Sequence, residues 1–120
     1  MAYSGNKGFT RILKATVFSW QGFKAAYANE EAFRQEVWLA TVLIPLGFIL
    51  GDNGVEKALL IGSVLLLMLV EILNSAIEAV VDRFGTELHE LSGRAKDMGS
   101  SAVFLAVVIL MMTWALILID

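Results

Sequence analysis

Three apolar runs divide the chain. The first, Val37–Leu50, is fourteen residues long and contains Pro45 and Gly47. At about 1.5 Å per residue it falls short of a hydrocarbon core roughly 30 Å thick. A span there must extend back through "EEAFRQE", tilt, or sit in a thinned bilayer. The second, Ala58–Val81, reaches twenty-four residues if Glu71 and Glu78 are tolerated inside it. The third, Met98–Ile119, has twenty-two residues and no charge. The pattern predicts three transmembrane helices near residues 32–50, 56–81 and 97–119. "GDNG", Gly51–Gly54, reads as a tight turn of residues that accept positive φ. "DRFGTELHELSGRAKD", residues 82–97, is polar and long enough to sit in water as a loop.

Ahead of the first span, apolar positions recur at helical period. Phe9, Ile12, Leu13, Trp20, Phe23 and Tyr27 share one arc, with Arg11, Lys14 and Gln21 opposite. An amphipathic helix near residues 6–28 is expected, lying in the cytoplasmic interface. Packing of that helix against the bundle is equally compatible.

Composition agrees with a membrane setting. The 120 residues form one domain by length and are 58% apolar. Soluble domains are roughly 45–50% apolar, so part of the solvent here must be lipid. Absence of cysteine removes disulfides, thiolate metal sites and Cys nucleophiles. No stretch reads as a cleavable signal peptide. Five basic residues precede the first span (Lys7, Arg11, Lys14, Lys24, Arg34), Lys57 lies by the first turn, and Arg83, Arg94 and Lys96 lie in the long loop. That asymmetry places the N-terminus and long loop in the cytoplasm, and the first turn and C-terminus outside. The net charge of −3 says little beside this placement of charge, and no nucleic-acid partner is expected.

The chemistry lies in "VEILNSAIEAVVDR", Val70–Arg83. Glu71, Asn74, Glu78 and Asp82 follow steps of three, four and four, which keeps them on one helical face, with Ser75 beside them. A carboxylate near a bilayer centre costs roughly 2.5–3.5 kcal/mol on insertion scales. Such a stripe belongs against protein or a wet cavity, and a second subunit would help to enclose it. Interhelical glue is the plainer explanation, but amides and hydroxyls make glue at lower desolvation cost. A stripe that climbs from hydrocarbon to cytoplasm suits a reaction between a lipid and a water-borne reagent, or a path for protons or small cations.

In the loop, "LHELSGRAKDMGS" sets Arg94 and Lys96 just before the third span, with Gly93 and Gly99 permitting close backbone approach. Open N–H groups at a helix start with a lysine beside them favour phosphate. Orientation of the chain by positive charge accounts for the same residues. Walker A spacing, a kinase catalytic loop and a dinucleotide fingerprint are all missing.

With these residues in view, the chain resembles the small integral-membrane diacylglycerol kinases of bacteria. "GFTRILKA" (Gly8–Ala15), "NEEAFRQE" (Asn29–Glu36), "VEILNSAIEAVVDR" (Val70–Arg83) and "ELSGRAKDMGS" (Glu90–Ser100) occur in that family's order and with similar separations. The resemblance implies an all-α membrane protein: a homotrimer of three-span subunits in the bacterial inner membrane, each with a surface helix. It implies transfer of the γ-phosphoryl group of MgATP directly to the hydroxyl of diacylglycerol, giving phosphatidic acid.

By position, Glu71 matches the family's general base, and a carboxylate withdrawn from water is a better proton acceptor. Asn74 would orient it. Glu30 and Glu78 match the carboxylates that hold Mg²⁺, for which hard oxygen ligands are suited. Lys96, Asp97, Glu87, Leu88 and His89 match nucleotide contacts, and Arg11 a residue near both ATP and lipid. Phe18 stands where relatives often carry Tyr, so ring packing replaces a hydroxyl contact. The lipid site is expected along Lys14, Ala15, Thr16, Val17, Phe18, Ser19 and Trp20, then Lys24, Ala25, Ala26 and Tyr27. It continues through Ala32, Phe33, Arg34, Gln35 and Glu36, with Ser100 and Trp114 added from the third span. Asp82 is expected to pair with Arg83 or Arg94. Two other functions fit parts of the pattern. A polyprenol kinase needs only a different alcohol, and a small oligomeric transporter accounts for the buried acids but not for Glu30 or "GRAKD".

Overall fold

The computed structural model describes residues 7–84 and 89–120. Those residues form four helices: α1 (Gly8–Asn29), α2 (Glu31–Leu50), α3 (Gly54–Arg83) and α4 (Glu90–Ile119). Three of them, α2, α3 and α4, are long and apolar enough to cross a membrane. The twenty residues of α2 reach about 30 Å because the helix extends back through "EEAFRQE". Pro45 lies inside α2 without ending it. At thirty residues each, α3 and α4 run about 45 Å, longer than a hydrocarbon core.

The central helix is α3, which packs against both α2 and α4. It buries Leu60, Ser63, Val64, Leu67 and Glu71. By contrast α4 buries only Gly99 and Ala106. Beyond Met98 much of its surface is apolar and open, with Phe104, Met111 and Leu116 each more than 60% exposed. One helix, α1, folds back beside α2 and buries only Ala26.

Local chemistry explains the α2–α3 joint and the helix contacts around it. Between α2 and α3, Asn53 caps α3 by accepting the Glu56 N–H at 2.9 Å, while Glu56 Oε1 accepts the Asp52 N–H at 3.0 Å. This is close to a reciprocal capping box. Positive φ is not what the turn requires, since Gly51 has φ −71 and Asn53 φ −151. Gly51 is needed because a Cβ there would sit 2.9 Å from the Lys57 backbone nitrogen. Glycine also sets a crossing: a Cβ at Gly47 would lie 3.0 Å from Ile61 Cγ1. At the α3–α4 packing, Trp114 Nε1 donates to Leu60 O and Ser63 Oγ, both at 3.1 Å.

One stretch departs from the sequence expectation. Residues 90–97 are helical, not loop. His89 Nδ1 caps the new helix by accepting the Leu91 N–H at 3.0 Å, and Glu90 pairs with Arg94 one turn on at 3.6 Å. A polar stretch remains helical when capped and internally paired.

Candidate active site

On α3 the acidic stripe changes environment along its length. Glu71 is 6% exposed, Asn74, Ser75 and Glu78 are half-buried, and Asp82 is exposed. The stripe therefore runs from packed protein to open solvent within three turns. Gly99 of α4 rests against Asn74: a Cβ there would overlap Asn74 Oδ1 and lie 3.2 Å from its Cγ.

A second set of acids meets this stripe from the joint of α1 and α2. Glu30 sits between the helices in an extended conformation (φ −118, ψ 109). Its N–H still donates to Ala26 O at 2.9 Å, and its carbonyl accepts from the Arg34 N–H at 3.1 Å. Arg34 Nη1 reaches back to Tyr27 O at 2.8 Å and Ala28 O at 3.1 Å, closing the last carbonyls of α1. Positive charge is well placed at a helix C-terminus. Glu30, Glu36 and Glu78 all lie within electrostatic range of Glu71. Two oxygens in this region, Glu36 Oε1 and Asn74 Oδ1, are buried and have no hydrogen-bond partner among the described residues. Such atoms are costly in an apolar surrounding unless a ligand satisfies them.

Among the described residues, no group of three or more His, Asp or Glu side chains is disposed to hold a metal ion. The donor set still fits Mg²⁺. That ion is usually held by one or two carboxylates together with substrate phosphates and water. Glu30 and Glu78 supply hard oxygens from two elements that converge on Glu71.

At the exposed end of the stripe, Lys96 Nζ lies 2.7 Å from Asp82 Oδ1. The partner expected for Asp82 was Arg83 or Arg94. Arg94 instead pairs with Glu90 on its own helix, where the i, i+4 spacing brings them together. The expected helix start beside Lys96 is also corrected. With α4 beginning at Glu90, Lys96 lies in its second turn, where backbone N–H groups are already bonded within the helix.

Beside these acids lies an apolar groove of about 470 Å³. Its walls come from Trp20, Phe23, Lys24 and Tyr27 of α1 and from Phe33 and Val37 of α2. Met68 of α3 completes it, one turn before Glu71 on the same face. Phe23 belongs to the apolar arc read from the sequence, whereas Val37 and Met68 were not singled out there as site residues. Each lies three or four residues from one that was, namely Phe33 and Glu71, so helical period carried the signal.

Other candidate residues lie further apart. Along α1, residues 11–19 are exposed except for half-buried Ala15 and Phe18. Arg11 lies about 14 Å along the helix axis from Trp20. Lys14, Thr16, Val17 and Ser19 occupy this open stretch, with Thr16 and Ser19 hydroxyls donating to Ile12 O and Ala15 O. Ala25 and Ala32 are exposed, as is Gln35, whereas Phe33 is 2% exposed. Asp97 and Ser100 are exposed on α4. Trp114 is at the opposite end of the bundle, bonded to α3. Glu87 and Leu88 lie outside the described residues.

The sequence matches known proteins along almost its whole length. The family model described as prokaryotic diacylglycerol kinase matches residues 17–118. The diacylglycerol kinase of Escherichia coli K12 is 55% identical over 111 residues, covering 92% of this chain and 91% of that protein. The diacylglycerol kinase of Haemophilus influenzae is 56% identical, with coverage of 92% and 94%. That of Pseudomonas aeruginosa is 52% identical over 117 residues, covering 98% and 95%. Identity at this level across both full lengths goes with a shared enzyme class, a kinase embedded by apolar helices. The chain belongs to the prokaryotic diacylglycerol kinase family.

Proposed function

We propose that the protein transfers the γ-phosphoryl group of ATP to the free hydroxyl of diacylglycerol at the cytoplasmic face of the inner membrane. One observation carries this reading. Met68 in the wall of the apolar groove lies a single turn from the buried carboxylate of Glu71. Acyl chains in the groove would bring the glycerol hydroxyl up to Glu71, while the half-buried and exposed acids beyond it lead to water.

Glu71 accepts the hydroxyl proton as the oxygen attacks. A bond forms from that oxygen to the γ-phosphorus, the bond to the β,γ-bridging oxygen breaks, and ADP departs. Asn74, pressed between α3 and α4, orients Glu71 and the incoming hydroxyl. Lys96 contributes positive charge toward the phosphates, and phosphoryl transfer depends chiefly on such positioning and charge. Bound Mg²⁺ supplies further offset of phosphate charge, and Glu30 and Glu78 are the residues that would hold it. Lys24 at the groove rim suits the headgroup region.

In this reading α1 is the amphipathic surface helix of the cytoplasmic interface, and the C-terminus is periplasmic. The open apolar surface of α4 is covered by lipid and by two further copies in a homotrimer. Purified protein given diacylglycerol and MgATP should form phosphatidic acid and ADP in equal amounts. Undecaprenol assayed in parallel tests the acceptor, since an apolar groove alone does not select between two lipid alcohols. Absence of product from both alcohols overturns the reading.

A further inference from the structure

The geometry points to Asp82 as a positioning residue for the nucleotide, holding the Lys96 ammonium at a fixed place over the cytoplasmic end of the α3 stripe. This rests on the kinase reading above and assigns a role to an acid which that mechanism does not use. The contact is direct, with Lys96 Nζ 2.7 Å from Asp82 Oδ1. A second contact joins the same helices further in. Asp82 is two turns beyond Asn74 on α3, and Lys96 is one turn before Gly99 on α4. Asn74 against Gly99 and Asp82 against Lys96 are thus two rungs between antiparallel helices, and the long lysine stem spans the uneven offset of the outer one.

Charge explains why the outer rung matters. Lys96 lies within electrostatic range of Glu78 as well as Asp82, with Asp82 the dominant influence. Lysine has a long flexible stem and three donors. Freed from Asp82, the ammonium would turn toward Glu78 and compete for a carboxylate assigned above to the cation. Held by Asp82 through one donor, it keeps two for phosphate oxygens. The side chains are 43% and 63% exposed, and exposed ion pairs contribute little to stability. Placement of Lys96, not support of the fold, is what this pair achieves.

Asp82→Ala in the full-length, reconstituted protein should raise KM for ATP about tenfold, the effect of losing one well-placed charge-assisted contact, with KM for diacylglycerol unchanged. Asp82→Glu should restore most of the loss. A readout independent of turnover is labelling of Lys96 by an amine-reactive reagent without nucleotide, followed by mass spectrometry. Labelling should be several-fold faster in Asp82→Ala and in the isosteric Asp82→Asn. An unchanged or lower KM for ATP, equal rises in both KM values, or unaltered labelling in Asp82→Asn each overturns the assignment. Failure of the kinase reading would look different, because the unmodified protein would then make no phosphatidic acid.

Discussion

Gly99 of α4 lies against the carboxamide of Asn74 on α3, leaving room at that point for a hydrogen and nothing larger. A glycine thus fixes how closely the third span approaches the acidic stripe. In a bilayer, where lipid is as apolar as the helices, close backbone approach at small residues is a main source of helix association. Here the same contact also restrains a side chain next to Glu71.

Gly99→Ala should therefore harm the reaction as well as the fold. The added methyl must displace Asn74 or push the helices apart, an overpacking cost of about 1–3 kcal/mol. The expected result is a kcat lowered at least tenfold, on the order of a 1.4 kcal/mol loss of transition-state stabilisation. Steady-state kinetics beside thermal unfolding in detergent checks this, and an unchanged kcat contradicts it.

Trp114→Phe should weaken the bundle without touching the chemistry. The change removes the indole donor to Leu60 O and Ser63 Oγ while keeping an aromatic ring. Hydrogen bonds between membrane helices average about 0.6 kcal/mol and reach about 1.7. A loss of that order in unfolding free energy is expected, with KM for diacylglycerol unaltered. A marked rise in that KM would instead favour the lipid contact that the sequence resemblance implies for Trp114.

The spans and the acidic stripe were legible because both rest on periodicity. Long apolar runs define α2, α3 and α4, and steps of three and four put Glu71, Asn74, Glu78 and Asp82 on one face. Contacts between distant residues were not legible. Trp114 finds its partner Ser63 fifty-one positions earlier, and nothing local to either residue announces it. The sequence offers Arg83 or Arg94 to Asp82, whereas the structure pairs it with Lys96, and only the rotation of α4 decides. That rotation depends on where α4 begins. A polar stretch such as "ELSGRAKD" reads as loop until its cap on His89 and its Glu90–Arg94 pair are seen. The groove likewise depends on α1 folding back at Glu30, a backbone event at a single residue.

Arg34→Gln tests that fold-back. Arg34 closes the α1 carbonyls of Tyr27 and Ala28, and losing a charged donor there should cost about 1 kcal/mol at the joint. Because Glu30 and the α1 wall of the groove both hang on this joint, KM for diacylglycerol and for MgATP should rise together. An effect on one substrate alone would show that the joint does not couple the two.

Filling the groove should separate them. Val37→Trp places a large ring among Trp20, Phe33 and Met68, narrowing a cavity of about 470 Å³. KM for diacylglycerol should rise tenfold or more with KM for ATP unchanged, measured with a short-chain lipid in mixed micelles. Equal kinetics for the variant and the parent would remove the groove from the lipid pathway.

The central claim is that a carboxylate withdrawn into the bundle takes the proton of a membrane alcohol. Glu71→Gln retains size and hydrogen bonding while removing the proton acceptor, so it is the most direct measurement. Phosphatidic acid formation should fall at least a thousandfold, on the order of what loss of a general base removes, with oligomer size unchanged by light scattering. Turnover within tenfold of the parent, or loss of activity only together with disassembly, would contradict the account.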